Sequence, residues 1–125
     1  MVDERGEIAA MYKGVPQNDV GIRTDILDNI PKTVGMKMLI RSMSPSIITA
    51  DEIGTKEEIE AIEEAIKSGV KGIFTAHGST IEDIKHIADT YIFEKIIFLG
   101  TKKCRGEIEK VYTINKINGE YVLFS

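Results

Sequence analysis

The stretch Ser46 to Ala65, SIITADEIGTKEEIEAIEEA, joins a short apolar run to two adjacent carboxylates and then to a charged, periodic segment. The run Ile47 to Ala50 has the length of a buried strand, and the spacing of the isoleucines after it predicts a helix over residues 55–68. In open α/β sheets, ligands bind outside the carboxyl ends of the strands. The pair Asp51 and Glu52 follows such an end and is therefore the first candidate for a functional site.

These two acids have two interpretations. In P-loop nucleotidases, one carboxylate at the end of a strand holds Mg²⁺ and a nearby acid activates the attacking water. Asp51 would then be the metal-side acid and Glu52 the base, as in a Walker B motif. Alternatively, the pair only links the strand to a helix that begins with a capping box of Thr55 and Glu58. Capping does not explain two acids before the cap, and both interpretations stay open at this point.

Composition sets the bounds of the prediction. A chain of 125 residues with 42% hydrophobic content predicts one modest domain with a core. Its net charge of −4 and the lack of a basic block argue against nucleic acid as a main partner. The single cysteine, Cys104, excludes an internal disulfide. No signal peptide opens the chain and no apolar run approaches the ~18 residues of a membrane span, so we expect a cytoplasmic protein without a transmembrane segment.

The segment after the first helix predicts a parallel sheet. Val70 to Ala76 is a second buried strand, and a helix follows from about Ile81 to Ala88, which alternates strand and helix. His77 would then lie beside Asp51 and Glu52 at one edge of the sheet. A lone histidine is usually structural, but its position after a strand and before a glycine favours a sensor or a ligand on the γ-phosphate side.

The two ends of the chain are less regular. Met1-Val2 is interpreted as the stump of a buried strand, Ile8 to Tyr12 as a weak helix, and residues 14–29 as a loop that contains Arg23. A helix is predicted from Pro31 to Ser44, with Arg41 near its end. Each arginine is either a solvated or helix-terminal charge, or a contact to phosphate or to a neighbouring subunit. After residue 91, three strands with a hairpin at residues 118–119 are expected to close the sheet.

Several blocks together resemble a known family. In order along the chain, they are VDERGEIA, GVPQNDVG followed by RTDILD, MLIRSMSP, DEIG and TAHG. Their order and separations are similar to the carboxyl-terminal half of the ATPase domain of the stage III sporulation protein AA family. That family is similar to the hexameric secretion ATPases of the RecA-like P-loop class. The resemblance covers roughly residues 2–114, and GVPQNDVG and LIRSMSP are its most distinctive blocks.

The resemblance implies a partial RecA-like P-loop NTPase, an α/β fold with a mostly parallel sheet flanked by helices and a carboxyl-terminal antiparallel hairpin. Its parts would be residues 1–54 with the acidic box and Walker B strand, residues 55–90, and the closing strands of 91–125. The cofactors implied are ATP and Mg²⁺. The implied partners are further copies in a hexameric ring and other stage III sporulation proteins. The implied location is the cytoplasm of the mother cell, peripheral to the forespore membrane.

The resemblance also implies residue roles. It places Mg²⁺ on Asp51 through water and makes Glu52 the catalytic base. It assigns Glu4 and Glu7 to an acidic box near the γ-phosphate and His77 to a histidine box; contacts to phosphate or to a neighbouring subunit are implied for the arginines at positions 23 and 41.

One departure from the family limits what this chain is expected to do alone. The family's phosphate-binding loop should precede VDERGEIA, yet the chain has no GxxxxGK[ST] motif to cradle the β- and γ-phosphates. We therefore expect a truncated portion of a sporulation ATPase that is inactive by itself. The alternatives are a nucleotide-free α/β interaction module and, less favoured, a phosphohydrolase in which Asp51, Glu52 and His77 bind a metal directly.

Overall fold

The computed structural model describes residues 1–88, 92–100 and 105–124, so that Cys104 lies outside the described residues. Three helices and nine strands are described, in the order β1 Val2–Asp3, β2 Met11–Tyr12, β3 Val15–Pro16, β4 Leu27–Asp28, α1 Lys32–Met43, β5 Ile47–Ala50, α2 Lys56–Lys67, β6 Lys71–Phe74, α3 Ile81–Ile87, β7 Lys95–Leu99, β8 Ile108–Ile114 and β9 Tyr121–Leu123. The chain divides into two compact units, Met1–His77 and Gly78–Ser125. The single partial domain stays a prediction.

The first unit is built on a parallel sheet of four strands in the order β4-β1-β5-β6. Val2 pairs with Leu27 on one side and with Ala50 on the other, and Ile47 of β5 pairs with Lys71 of β6. Because all four strands run in one direction, their carboxyl ends meet at one edge. The α/β class and the mostly parallel sheet are confirmed, and Met1-Val2 does lead into a buried strand.

Two amphipathic helices cover this sheet. In α2, the predicted capping box is present, since Thr55 accepts from the amide of Glu58 and the Glu58 side chain accepts from the amide of Thr55. The apolar side of α2 is buried at Ile59, Ala61, Ile62 and Ala65. Helix α1 packs closely on β1 at Gly35, where an added Cβ would lie 2.7 Å from Cγ1 of Val2. Met36, Ile48, Ile62 and Val2 are the largest fully buried apolar side chains of the core.

The segment between β1 and α1 differs from the prediction. Residues 11–16 form a hairpin of β2 and β3 instead of a weak helix and the start of a loop, and β4 pairs with β1. Lys13 and Gly14 both have positive φ, 48° and 80°, which suits a two-residue hairpin turn. Strands of two residues have no periodicity to read. The buried carboxylate of Asp3 also accepts the amides of residues 7–9, which holds them in a loop.

The second unit contains α3 and a separate sheet. Strands β7, β8 and β9 are antiparallel and, among the described strands, pair only with one another. We expected them to close the parallel sheet, but they form a sheet of their own. The predicted hairpin is present, with Gly119 at positive φ and its amide bonded to the carbonyl of Asn115. Phe98 and Tyr112 pack edge to face across β7 and β8. Among the described residues, no helix is both long enough and apolar enough to cross a bilayer.

Candidate functional site

The carboxyl ends of β5 and β6 are joined by side-chain contacts. Strand β5 ends at Ala50, and Asp51 and Glu52 follow at once. Thr75, just after β6, donates its hydroxyl to Oδ1 of Asp51 and accepts the amide of Glu52 at 2.8 Å. The carbonyl of Thr75 accepts the amide of Ile53 at 2.8 Å. Thr75 therefore ties the two-acid turn to the neighbouring strand.

A third carboxylate comes from the loop after β1. Glu7, Asp51 and Glu52 each place one carboxylate oxygen within 4.8 Å of the others, and together we call them the carboxylate cluster. Glu7 is exposed and the other two are half-buried. The loop that carries Glu7 is held by Asp3, which is 1% exposed. The Asp3 carboxylate accepts the Glu7 amide at 3.0 Å and the Ala9 amide at 2.8 Å. The fold therefore brings Glu7 close to two acids that lie 44 and 45 positions further along the chain.

Two basic side chains contact Glu52. The guanidinium of Arg5 pairs with Oε2 of Glu52 and lies 3.4 Å from Oε2 of Glu7. His77 places Nε2 3.1 Å from Oε1 of Glu52. The pKa of Arg5 is raised, first by the charge of Glu52 and then by that of Glu7. Both oxygens of Glu52 therefore have a basic partner, and Arg5 offsets part of the negative charge of the cluster.

The backbone of Glu52 has a positive φ, as do those of four other described non-glycine residues. Its φ is +47°, in the left-handed region that residues with a Cβ adopt rarely. The ammonium of Lys32 donates to the carbonyls of Asp51 at 3.0 Å and Glu52 at 2.7 Å. Such a conformation persists where the surrounding contacts hold it, and it occurs often at functional sites.

Lys32 also connects the turn to α2. Its Nζ is 3.2 Å from Oε1 of Glu58, and both side chains are nearly buried, 13% and 10% exposed. Burial raises the pKa of the Glu58 carboxyl, but hydrogen bonds from the amides of Thr55 and Gly54 and from Lys32 outweigh it, and the net pKa is lowered. Glu58 is thus buried, whereas Glu57 and Glu60 on either side of it are exposed.

The other predicted site residues lie outside the carboxylate cluster. Glu4 is exposed and its Oε2 is 3.8 Å from the ammonium of Lys32, so it reaches the site through that lysine. Arg23 and Arg41 are exposed. Within the part of the chain that the structure describes, neither arginine pairs with a carboxylate of the site. Their contacts to phosphate or to another subunit stay predictions.

Sequence reasoning missed the groups that hold the acids in place: Asp3, Arg5, Lys32 and Thr75. One signal was available for Lys32, because a lysine in the first turn of a helix opposes the helix dipole and requires another reason. The others give no such signal, since a threonine after a strand or an arginine among glutamates is common. Their partners become visible only when the strand ends meet.

The family model described as "Sporulation stage III, protein AA" matches residues 1–119 of this chain. The chain belongs to this family. It is 40% identical over 118 residues to the stage III sporulation protein AA of Bacillus subtilis (strain 168). That alignment covers 90% of this chain and 38% of the relative, so the chain spans well under half of the relative's length. No solved structure matches it. The resemblance seen in the sequence to the stage III sporulation protein AA family is confirmed.

Proposed function

We propose that this chain supplies the acidic half of an ATP-hydrolysing site that works during endospore formation. The observation that supports this most is the convergence of Glu7, Asp51 and Glu52 at the carboxyl edge of a parallel sheet. Membership in a sporulation family supports the proposed process, and the position of the acids at the strand ends supports the proposed chemistry. Nucleotide hydrolysis needs acids at this edge that can serve a metal and an attacking water.

The carboxylate cluster fits a hard divalent cation. Carboxylate oxygens are the ligands that Mg²⁺ prefers, and three of them within 4.8 Å can face one ion or its bound waters. In this proposal Asp51 holds Mg²⁺ through water, and its carboxylate is held in place by the hydroxyl of Thr75, which donates to Oδ1. When bound, the ion would neutralise charge on the β- and γ-phosphates. Glu7 and, through Lys32, Glu4 form the acidic surroundings of the γ-phosphate.

Glu52 is the proposed base. Its carboxylate would accept a proton from the water that attacks the γ-phosphate, a role that contributes typically 10²–10⁴-fold. Arg5 and His77 each contact one of its oxygens, and each carboxylate oxygen keeps a second lone-pair site that can accept from the water. His77 lies next to the γ-phosphate in this proposal and is suited to sense the nucleotide there.

The phosphate cradle must come from outside these residues. The 125 residues have no GxxxxGK[ST] motif, and a nucleotide site needs backbone amides and a lysine around the β- and γ-phosphates. The proposal therefore concerns a longer protein of the family in which this chain is one part. There, Arg23 and Arg41 are the candidates for contacts to phosphate or to a neighbouring copy, in a hexameric ring that acts with other stage III sporulation proteins at the cytoplasmic face of the forespore membrane.

A second candidate is a metal-dependent phosphohydrolase that needs no P-loop. The observation that favours it is again the carboxylate cluster, beside which His77 contacts Glu52. In that case the 125-residue chain would be active alone, which the ATPase proposal does not expect.

The decisive experiment measures ATP hydrolysis by the longer family protein that contains this segment. Glu52→Gln should lower kcat at least about 100-fold because the base is lost, and Asp51→Asn should weaken the dependence on Mg²⁺. Glu57→Gln, an exposed acid on the first turn of α2, is the matched control and should leave hydrolysis unchanged.

The 125-residue chain supplies the complementary measurement. Calorimetry should detect no binding of Mg·ATP, and Mn²⁺ with a phosphomonoester should give no turnover. Hydrolysis by Glu52→Gln at the normal rate would overturn the ATPase proposal, and turnover by the chain alone would favour the phosphohydrolase. Binding of Mg·ATP to the chain alone would mean that a phosphate cradle exists within it.

A further inference from the structure

The ammonium of Lys32 uses all of its donors inside the first unit. An ammonium has three N–H groups, and here it has three close acceptors: the carbonyls of Asp51 and Glu52, at 3.0 and 2.7 Å, and Oε1 of Glu58 at 3.2 Å. The side chain is only 13% exposed. Removing an ammonium from water costs desolvation free energy, so a nearly buried lysine is found where its N–H groups are hydrogen-bonded. Such a fully paired lysine holds its acceptors in a defined arrangement.

The acceptors belong to the turn that needs support. Glu52 has φ of +47°, and a residue stays in such a sparsely populated region only where surrounding contacts hold it. Lys32 bonds the two carbonyls of this turn, while Thr75 bonds the amides of Glu52 and Ile53. The turn is therefore held from two neighbouring elements, α1 and the end of β6.

Stabilising α1 does not account for this lysine. A positive side chain in the first turn of a helix is unfavourable with respect to the helix dipole, and α1 has no acidic residue there to offset it. The charge instead serves groups outside its own helix, since it reaches the end of β5, Glu58 of α2 and, at 3.8 Å, Glu4 after β1. Lys32 therefore links three segments at the candidate site: the end of β5, the first turn of α2 and the loop after β1.

We propose that Lys32 is a positioning residue, which holds the Asp51-Glu52 turn so that the Glu52 carboxylate stays in place for its role as base. This inference rests on the proposed function for its catalytic consequence. Its structural part, that Lys32 orders the turn, is independent of ATP and can be measured on this chain alone. The two parts can therefore fail separately.

The first test is amide hydrogen exchange on the 125-residue chain with Lys32→Met. We expect exchange at the amides of Glu52 and Ile53 to speed up at least about tenfold, because their turn loses the bonds that hold its carbonyls. The amides of Ile59 in α2 and Lys71 in β6 should keep their protection. Lys37→Met is the matched control, since Lys37 is an exposed lysine of the same helix. Unchanged exchange at Glu52 and Ile53 in a folded Lys32→Met chain would overturn the inference.

The second test measures the catalytic part in the longer family protein. Lys32→Met should lower kcat about tenfold or more while the KM for ATP changes less than about twofold, because the base is displaced and the nucleotide contacts remain. Lys37→Met should change neither. Full activity in Lys32→Met beside a large loss in Glu52→Gln would refute the positioning role and leave the proposed function standing. Full activity in Glu52→Gln would refute the proposed function instead.

A second variant removes the risk that Lys32→Met fails to fold because Glu58 is left without its cation. The double variant Lys32→Met with Glu58→Gln removes both charges, and the glutamine can still accept amide hydrogen bonds through its carbonyl oxygen. It should show the same fast exchange at Glu52 and Ile53, and Glu58→Gln alone should not. Equal exchange in the double variant and in Glu58→Gln would overturn the inference.

Discussion

Helices α2 and α3 begin with the same capping box and end up in different surroundings. In α2, Thr55 and Glu58 exchange hydrogen bonds across the first turn, and in α3, Thr80 and Asp83 do the same. Glu58 is 8% exposed and pairs with Lys32. Asp83 has no such ion pair among the described residues, and α3 has no buried residue in its seven positions. One local motif therefore begins a core helix in the first unit and a peripheral helix in the second.

The difference shows which part of a cap depends on its surroundings. In both helices the amide hydrogen bonds lower the pKa of the acid at the third position: the amides of Ser79 and Thr80 dominate for Asp83, whereas burial opposes the amides for Glu58. The exchange of hydrogen bonds needs only four consecutive residues of sequence. The coupling of Glu58 to the site needs Lys32 of α1, which lies 26 positions earlier in the sequence.

The largest expected effect comes from Glu58→Ala. It removes the acceptor of the Gly54 and Thr55 amides and leaves the nearly buried ammonium of Lys32 without its anion. Breaking a buried pair on one side is strongly destabilising, and we expect a loss of about 3 kcal/mol in the free energy of unfolding, measured with urea. A loss below about 1 kcal/mol would mean that the capping box of α2 contributes no more to the free energy of unfolding than an ordinary cap such as that of α3.

The second prediction concerns pH. The folded-state pKa of Glu58 lies below its ordinary value of 4.5, so its stabilising contribution is fully present above that value and is lost as the pH falls through the folded pKa. Unfolding free energies at about pH 6 and about pH 3.5 should therefore differ more in the natural chain than in Glu58→Gln, which does not titrate. The same pH dependence in both chains would contradict the lowered pKa.

Removing the N-cap hydroxyls should have smaller and similar effects in the two helices. Thr55→Ala and Thr80→Ala each delete one acceptor for an amide of the first turn, at Glu58 and Asp83 respectively, and each should cost about 1 kcal/mol. Amide exchange in α2 and α3 reports the two losses separately. A much larger cost for one of them would show that its threonine has a further role.

The smallest effect is expected from Asp83→Ala. Its carboxylate accepts only the amides of Ser79 and Thr80 at the start of α3 among its described hydrogen bonds. The protection of α3 should fall slightly, and exchange at Glu52 should not change, because no described contact of Asp83 reaches the carboxylate cluster. Faster exchange at Glu52 would show that the capping acid of α3, like that of α2, is coupled to the candidate site.

Much of the fold could be read from short-range patterns. The run Ile47 to Ala50, the capping box of α2 and the hairpin near Gly119 each depend on neighbouring residues, and the structure contains all of them. The meeting of Asp51, Glu52 and His77 followed from one further rule, that the ends of parallel strands share an edge. The pairing of β1 with β4 could not be read, because two-residue strands show no alternation.

The sequence by itself determined where the helices and longer strands begin, that two acids follow a buried strand, and to which family such a chain belongs. The elements and the two acids depend on residues close together in the sequence, and the family depends on blocks spread over residues 1–119. Only the tertiary structure decided that Arg5 would contact Glu52, that Lys32 would bond the carbonyls beside it, and that Glu58 would be buried. These contacts join residues 20 to 47 positions apart, and their geometry exists only once the sheet has brought its strand ends together.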